Sequence, residues 1–419
     1  MAQLPRPRRR EDFEIAIICA LRVERDAVEA FLDEEYETDG FSYGKAPGDH
    51  NAYITGRIGN NHVVLAYMPA MGKASSAAVA SSICTSFEGI KVGIVVGICG
   101  GAPSTTDGTE ILLGDVIIGE TVVQANFGRQ YPNKFMRKDT PRDNLGRANP
   151  EIRSFLGRAS GWRVRERLTK KVAFYSADLC KKNGFQESTY PGAENDKLYP
   201  AHYRHKHQNS NSCFICGKCQ NQDDEVCEIA QNSSCTELGC DDRLLIPRNR
   251  TQKAKGLGAI TDAAEAQEAR KPSIHFGRIA SGDGVMKSGQ HRDGIVACEN
   301  VIAFEMEGAG AWDYLPTVVI KSVCDYADSH KSKEWQGYAA ATAAACTKAF
   351  LEEWRSAERP LNRPISPGIA SASHISHLVS SCHSDLVTEI SSPPIKKRCL
   401  SLLAGEEEGH GWCDAAPKP

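Results

Sequence analysis

Ile302-Ala-Phe-Glu-Met-Glu-Gly-Ala309 and Val318-Val-Ile-Lys-Ser-Val-Cys-Asp-Tyr-Ala-Asp328 each read as an apolar strand that ends in a pair of carboxylates. Near-continuous apolar runs of this kind belong to strands buried on both faces. In open α/β sheets a ligand sits beyond the carboxyl ends of such strands, where the chain turns into a helix. Glu305, Glu307, Asp325 and Asp328 therefore mark two neighbouring strand exits. Acids beside apolar surface suit a sugar diol and a protonatable ring. Capping of the following helices is the competing use for the same carboxylates.

Working outward, short strand-like runs alternate with helical ones. Strands are expected at Glu14–Leu21, Tyr53–Ile58, His62–Met68, Val92–Ile98, Asp115–Thr121, Ile274–Ser281, Val301–Glu305 and Val318–Val323. Helices are expected at Val23–Leu32, Lys73–Phe87 and Tyr338–Trp354, with an Arg-rich surface helix at Ile152–Leu168. The alternation predicts an α/β protein with a central mixed, largely parallel sheet flanked by helices. Residues 1–11 form a basic, Pro-rich lead expected to be disordered, and 12–355 form the folded domain. A polar, Cys-rich insertion at about 183–272 interrupts that domain, and the Ser/Pro/His/Gly-rich tail 356–419 is expected to be disordered.

The 419 residues carry a formal net charge of −3, with 41% hydrophobic and 25% charged residues, so neither a nucleic-acid nor a membrane partner is called for. Ile15–Leu21 is too short to span a bilayer and has no small-residue cleavage site after it. Cys19, Cys99 and Cys324 fall inside strands, as suits a reducing compartment. A cytoplasmic location is expected, with Lys396-Lys-Arg398 as a candidate nuclear import signal.

Three further segments carry chemistry. Val95-Val-Gly-Ile-Cys-Gly-Gly-Ala102 is a strand entering a Gly-rich turn, where Gly100 and Gly101 let backbone approach a ligand; it is not the dinucleotide pattern. Pro69-Ala-Met-Gly-Lys-Ala74 opens a helix with Gly72 and Lys73, either a simple helix entry or a site for an anion or a ribose edge. Ile17-Ile-Cys-Ala-Leu-Arg-Val-Glu-Arg-Asp-Ala27 runs from strand into helix and places Glu24 in the first turn, where the helix dipole favours an acid.

In this order, these segments together with Ser281-Gly-Asp-Gly-Val-Met286 resemble the purine and uridine phosphorylase superfamily. That superfamily includes purine nucleoside phosphorylases and methylthioadenosine/S-adenosylhomocysteine nucleosidases. Residues 13–143 and 273–354 carry the resemblance, and Cys324-Asp-Tyr-Ala-Asp-Ser-His-Lys-Ser-Lys-Glu-Trp-Gln-Gly-Tyr-Ala339 is characteristic of its fungal branch. The resemblance implies the three-layer nucleoside-phosphorylase-like fold and cleavage of the N-glycosidic bond of a purine nucleoside or nucleotide. It implies Asp325 as the general acid that protonates the leaving purine, and Glu24 as the activator of water. Glu307 would hold the ribose and Met306 pack on it, with Glu305, Gly100, Gly101, Gly72, Lys73, Val285 and Met286 completing the substrate site. To act as the acid, Asp325 should be un-ionised. Phosphorylases of the hexameric type hold phosphate with Arg and Ser where this chain has Val95 and Ile98, so water is favoured as nucleophile. Two alternatives remain: a phosphorylase that uses phosphate as co-substrate, supplied with an anion site by Arg22, Arg25 or Lys73, and a nucleotide-sensing module with little activity. His330, Lys331 and Lys333 are candidates for a 5′-phosphate. A homo-oligomer is expected by resemblance.

No cofactor or catalytic metal is implied. The Cys213-x₂-Cys216-x₂-Cys219 run, then Cys227, Cys235 and Cys240, has zinc-ligand spacing at its start and makes a candidate structural zinc site on Cys213, Cys216, Cys219 and Cys227. A second pair or His202, His205 or His207 could complete four ligands, and a disordered insertion is the other outcome.

Overall fold

Ile15–Cys19 (β1) is buried at every position, as a strand covered on both faces must be. It is followed by β2 (Glu34–Glu35), β3 (Tyr53–Ile58), β4 (Asn61–Tyr67), β5 (Val92–Gly101), β6 (Val116–Gln124), β7 (Gly128–Gln130) and β8 (Phe135–Arg137). After the long polar segment come β9 (Ile274–Ser281), β10 (Val301–Glu305) and β11 (Thr317–Asp325). These come from a computed structural model, which describes residues 5–38, 41–209, 211–221, 224–257 and 271–355. The expected tail and its basic cluster lie outside the described residues.

Nine strands form one mixed sheet in the order β10-β9-β6-β11-β5-β1-β4-β3-β2. β1 runs parallel to β4 and β5, and β5 runs parallel to β11, so their carboxyl ends share one side. β10 also pairs antiparallel with the end of β5 through Ala303–Gly101 and Phe304–Gly100. This second pairing closes β5, β11, β6, β9 and β10 into a ring, which covers the edge that β10 would otherwise expose and leaves β2 as the open edge. It also swings Glu305 and the residues after it over the carboxyl end of β5.

Helices cover the sheet. The final helix, Gln336–Glu353, packs its Ala-rich run, Phe350 and Leu351 into the main core beside Leu168 and Val172. The stretch expected as one surface helix is two, Pro150–Ser160 and Trp162–Leu179, broken at Gly161. The second is an amphipathic surface helix: Val164, Leu168, Val172 and Leu179 are buried, and its Arg residues occupy the outer face.

Two disorder expectations do not hold among the described residues. In the lead, Arg6 pairs with Glu34 at 2.7 Å and lies over the Tyr36 ring, and the Pro7 carbonyl accepts from Tyr43. The polar insertion folds into short helices (Phe214–Lys218, Glu228–Asn232, Cys235–Leu238, Asn249–Leu257). It is fastened to the sheet by Arg250, which donates to Asp115 at 2.6 and 3.0 Å, and by Arg248, which donates to the Ile111 carbonyl. Burial alone would raise Asp115, but Arg250 and His275 hold it at about 2. A segment poor in apolar periodicity is thus held by polar anchors on a preformed core. Among the described residues, no helix is long and apolar enough to cross a membrane.

Candidate active site

Glu24 sits in the first turn of the helix Arg22–Glu29 and is 2% exposed. One carboxylate oxygen accepts from the N–H groups of Ala20 and Leu21 at 3.0 and 2.8 Å, and the other accepts from Ile98 N–H at 2.8 Å. The carboxylate therefore closes the helix start, as a cap does, and also lines a cleft. Burial pushes its carboxyl up; buried Lys321 opposes that shift and Glu307 adds to it. Gly97 is what makes room, since a Cβ there would lie on the Glu24 carboxyl. Gly97→Ala is expected to push Glu24 off the Ile98 N–H and to cost about 1–3 kcal/mol, the usual range for overpacking. A urea melt beside wild type measures it, and an unchanged midpoint would show that Glu24 is not packed there.

The exit of β10 holds the second group. Glu305 accepts from the N–H groups of Glu307 (2.9 Å) and Gly308 (2.8 and 3.0 Å), and Glu307 accepts from Gly72 N–H at 3.4 Å. Beneath both lies Lys321, fully buried in β11, with Nζ 2.9 Å from Glu307 and 4.0 Å from Glu305. Burial works against the Lys321 ammonium, but Glu307, Glu24 and Glu305 together hold its proton more tightly than an ordinary lysine does. Burial likewise pushes the Glu305 carboxyl up, against the pull of Lys321. A buried charge is tolerable only when paired, and here one cation serves three carboxylates.

The third group closes the opposite wall. Asp325 ends β11 after a register shift against β5, accepts from Ala327 N–H at 2.8 Å and pairs with Lys331 Nζ at 2.9 Å. Gly100 leaves the space that Asp325 and Ala327 fill. The Lys331 ammonium thus sits on the carboxyl that the sequence reading makes the general acid. At the same strand end, burial pushes Asp328 up to about 6.

These groups line one cleft of about 1280 Å³, with Glu24, Ile98, Gly100, Glu305, Met306, Glu307, Asp325, Lys331, Val285 and Met286 in its lining. Residues 14–169 match the family model of the phosphorylase superfamily. A nucleotide-binding leucine-rich repeat (NLR)-like protein of Hyaloscypha variabilis is 28% identical over 347 residues, which cover 81% of this chain and 29% of that protein. The chain thus spans well under half the length of that curated relative. Among solved structures, futalosine hydrolase of Helicobacter pylori aligns over 82% of this chain and 99% of its own at 16% identity and a TM-score of 0.45. The S-adenosylhomocysteine nucleosidase of Streptococcus pyogenes aligns over 82% and 98% at 16% identity and a TM-score of 0.46.

The stretch that matches the family model supplies Glu24, Ile98 and Gly100; from beyond it, Glu305, Met306 and Glu307 reach the cleft through the β10–β5 pairing, and Asp325 through the pairing of β11 with β5. Three expected residues do not line the cleft. Gly101 lies past the β5–β11 irregularity and packs on Val323. Gly72, at φ +107°, supports Glu307 from behind. Lys73 is turned away, its Nζ 2.7 Å from Asn126 and 3.4 Å from Asp283. Arg22 and Arg25 face Asp26 at 3.3 and 2.8 Å, so the candidate anion site is already answered by carboxylates. Val95 is buried, and Ile98 presents its backbone N–H to Glu24 rather than a polar side chain to a ligand. His330, Lys331 and Lys333 all line the cleft, the His330 ring with a side-chain exposure of 3%.

Sequence reasoning missed the role of Lys321. Its signal was a lysine in the middle of an otherwise apolar strand, Val318-Val-Ile-Lys-Ser-Val-Cys324, where only buried acids make it affordable. The candidate zinc set also changes. His207, Cys213, Cys216 and Cys227 have ligand atoms within 4.8 Å of one another, and Cys219 is not in that group.

Proposed function

We propose that this chain cleaves the N-glycosidic bond of a purine nucleoside or nucleotide with water as nucleophile. The observation that carries this reading is the arrangement of Glu24, Glu307 and Asp325 around one cleft, with Met306 between the groups that would hold the sugar. In the step proposed, the purine–C1′ bond breaks and its electron pair goes to the base, while a water oxygen bonds to C1′. Asp325 gives its proton to the base nitrogen, and Glu24 takes one from the water. Glu307 accepts hydrogen bonds from the ribose hydroxyls, held in place by Lys321. Because Lys331 pairs with Asp325 in the free protein, the purine must displace it or arrive with Asp325 newly protonated. A positioned acid of this kind is worth ~10²–10⁴ in rate.

Water is supported over phosphate by charge. A phosphate beside Ile98 would face the Glu24 carboxylate, which repels it, while the basic groups nearby already face acids. Chromatography of free base from adenosine, inosine, AMP and ATP, with and without phosphate, tests this. Equal release without phosphate is expected; release only with phosphate would make the protein a phosphorylase and remove the role given to Glu24.

Glu24 must be ionised to activate water. Since burial raises its carboxyl above the ordinary 4.5, turnover is expected to fall with decreasing pH through a limb that lies above that value. Glu24→Gln should abolish turnover at every pH. A limb that persists in a still-active Glu24→Gln protein would assign it to another group.

The Hyaloscypha variabilis relative favours a second reading. A domain like this one sits there within a much longer NLR-like protein, as a nucleotide-sensing module would. Stabilisation by adenosine or adenine with no product formed would support sensing over catalysis.

A further inference from the structure

We propose that the Cys-rich segment binds two zinc ions, and that the second ion clamps this segment to the loop carrying Asp325. The first set is His207, Cys213, Cys216 and Cys227; the second is His205, Cys240 and His330, to which Cys235, with Sγ 3.7 Å from His205 Nδ1, would add the fourth ligand. Spacing along the chain hides the second set, because its ligands come from separate short elements and, for His330, from the loop after β11.

Tetrahedral geometry supports both sets. With Zn–S near 2.3 Å and Zn–N near 2.0–2.1 Å, the ligand atoms of a tetrahedral site lie about 3.6 Å apart for S and N and about 3.8 Å apart for two sulfurs. In the first set, Cys216 Sγ and Cys227 Sγ are 3.7 Å apart, and Cys227 Sγ lies 3.6 Å from His207 Nδ1. In the second, His205 Nδ1 lies 3.7 Å from Cys235 Sγ and 3.8 Å from Cys240 Sγ, and ligand atoms of His205, Cys240 and His330 lie within 4.8 Å of one another. Thiols at such distances make poor hydrogen bonds but good edges of a metal tetrahedron.

The imidazoles are prepared as ligands. His205 Nε2 lies 2.8 Å from the Ser233 carbonyl, which fixes the tautomer that leaves Nδ1 free to bind metal. His330 is a buried ring with no hydrogen-bond partner on either nitrogen among the described residues. It is held instead by stacking on Tyr199 (4.3 Å between ring centres) and Tyr203 (5.5 Å). A buried imidazole without a hydrogen bond is costly; Asp328 Oδ1, 3.9 Å from Nδ1, pairs with it only if the ring is protonated, and a metal removes that cost for the neutral ring. The first ion gives a segment with a small apolar core (Cys216, Cys227, Ala230, Leu238) a reason to fold. The second joins it, five residues from Asp325, to the cleft, where Ser233, Ser234, Cys235 and Thr236 already form part of the wall.

Zinc in the full-length protein, purified without chelator and measured per chain by mass spectrometry, tests this without reference to activity. Two equivalents are expected for wild type, and one each for Cys216→Ser and Cys240→Ser. Cobalt(II) exchanged into wild type should give thiolate charge-transfer and tetrahedral d–d bands for two sites, which does not depend on how the variants fold. His330→Ala should release its second ion to a competing chelator at an affinity lowered by at least the ~10–100-fold that loss of a supporting partner costs. Wild type without zinc would overturn both sites. A single equivalent in wild type, kept in Cys240→Ser and absent from Cys216→Ser, would overturn the second, and an unchanged affinity in His330→Ala would overturn the clamp.

Discussion

Lys321→Met is expected to destabilise the protein by about 3–5 kcal/mol, the range for breaking a buried ion pair by removing one partner. Methionine nearly matches lysine in volume, so the loss is electrostatic rather than a cavity. Glu307 would lose its 2.9 Å partner, and Glu24 and Glu305 the one cation that opposes the effect of their burial. The pH dependence gives the prediction a second edge. The Glu24 and Glu305 carboxyls are raised above their ordinary 4.5, so the stability they contribute is full below that value and is lost as pH rises through the folded-state value. Removing Lys321 raises them further and deepens the loss at neutral pH. Urea melts of Lys321→Met and wild type at pH 5 and pH 7.5 should therefore show a deficit that grows with pH. A deficit of less than 1 kcal/mol at pH 7.5 would mean that the three carboxylates are not sharing this cation.

Asp325→Asn is expected to keep ligand binding and lose about 10²–10⁴ in turnover, the contribution of a positioned acid. Asn nearly matches the shape and can keep the 2.8 Å contact with Ala327 N–H through its carbonyl oxygen, but it cannot supply the proton. It also releases Lys331, so the variant separates two functions. If Asp325 donates to the base, kcat falls while ligand affinity changes little; if its main task is to hold Lys331, affinity changes instead. Unchanged turnover would remove Asp325 from the acid role. Single-turnover base release, with adenine binding followed by calorimetry, distinguishes these results.

Much of the site was legible because strand exits announce themselves. Tyr53–Ile58, Ile274–Ser281 and Val301–Glu305 occur with the bounds their apolar runs suggest, and the acids at their ends or after neighbouring strands lie where a ligand would meet them. Glu24 was legible as a helix-start acid, although its cleft-facing position depends on Gly97, a residue seventy-three positions away in the chain. Lys73 illustrates the limit. Its place at a helix entry suits a ligand, yet Asn126 and Asp283 reach it first, and nothing local to Pro69–Ala74 shows that.

The sequence by itself determined the strand and helix alternation, the acids at two strand ends and the separate character of the Cys-rich segment, because periodicity and composition act over a few neighbouring residues. Only the tertiary structure decided that β10 closes onto β5, that Lys321 lies beneath three carboxylates, and that His330 meets His205 and Cys240. Each of these depends on pairing or packing between distant segments, where the energy belongs to the assembled group and to no residue in it.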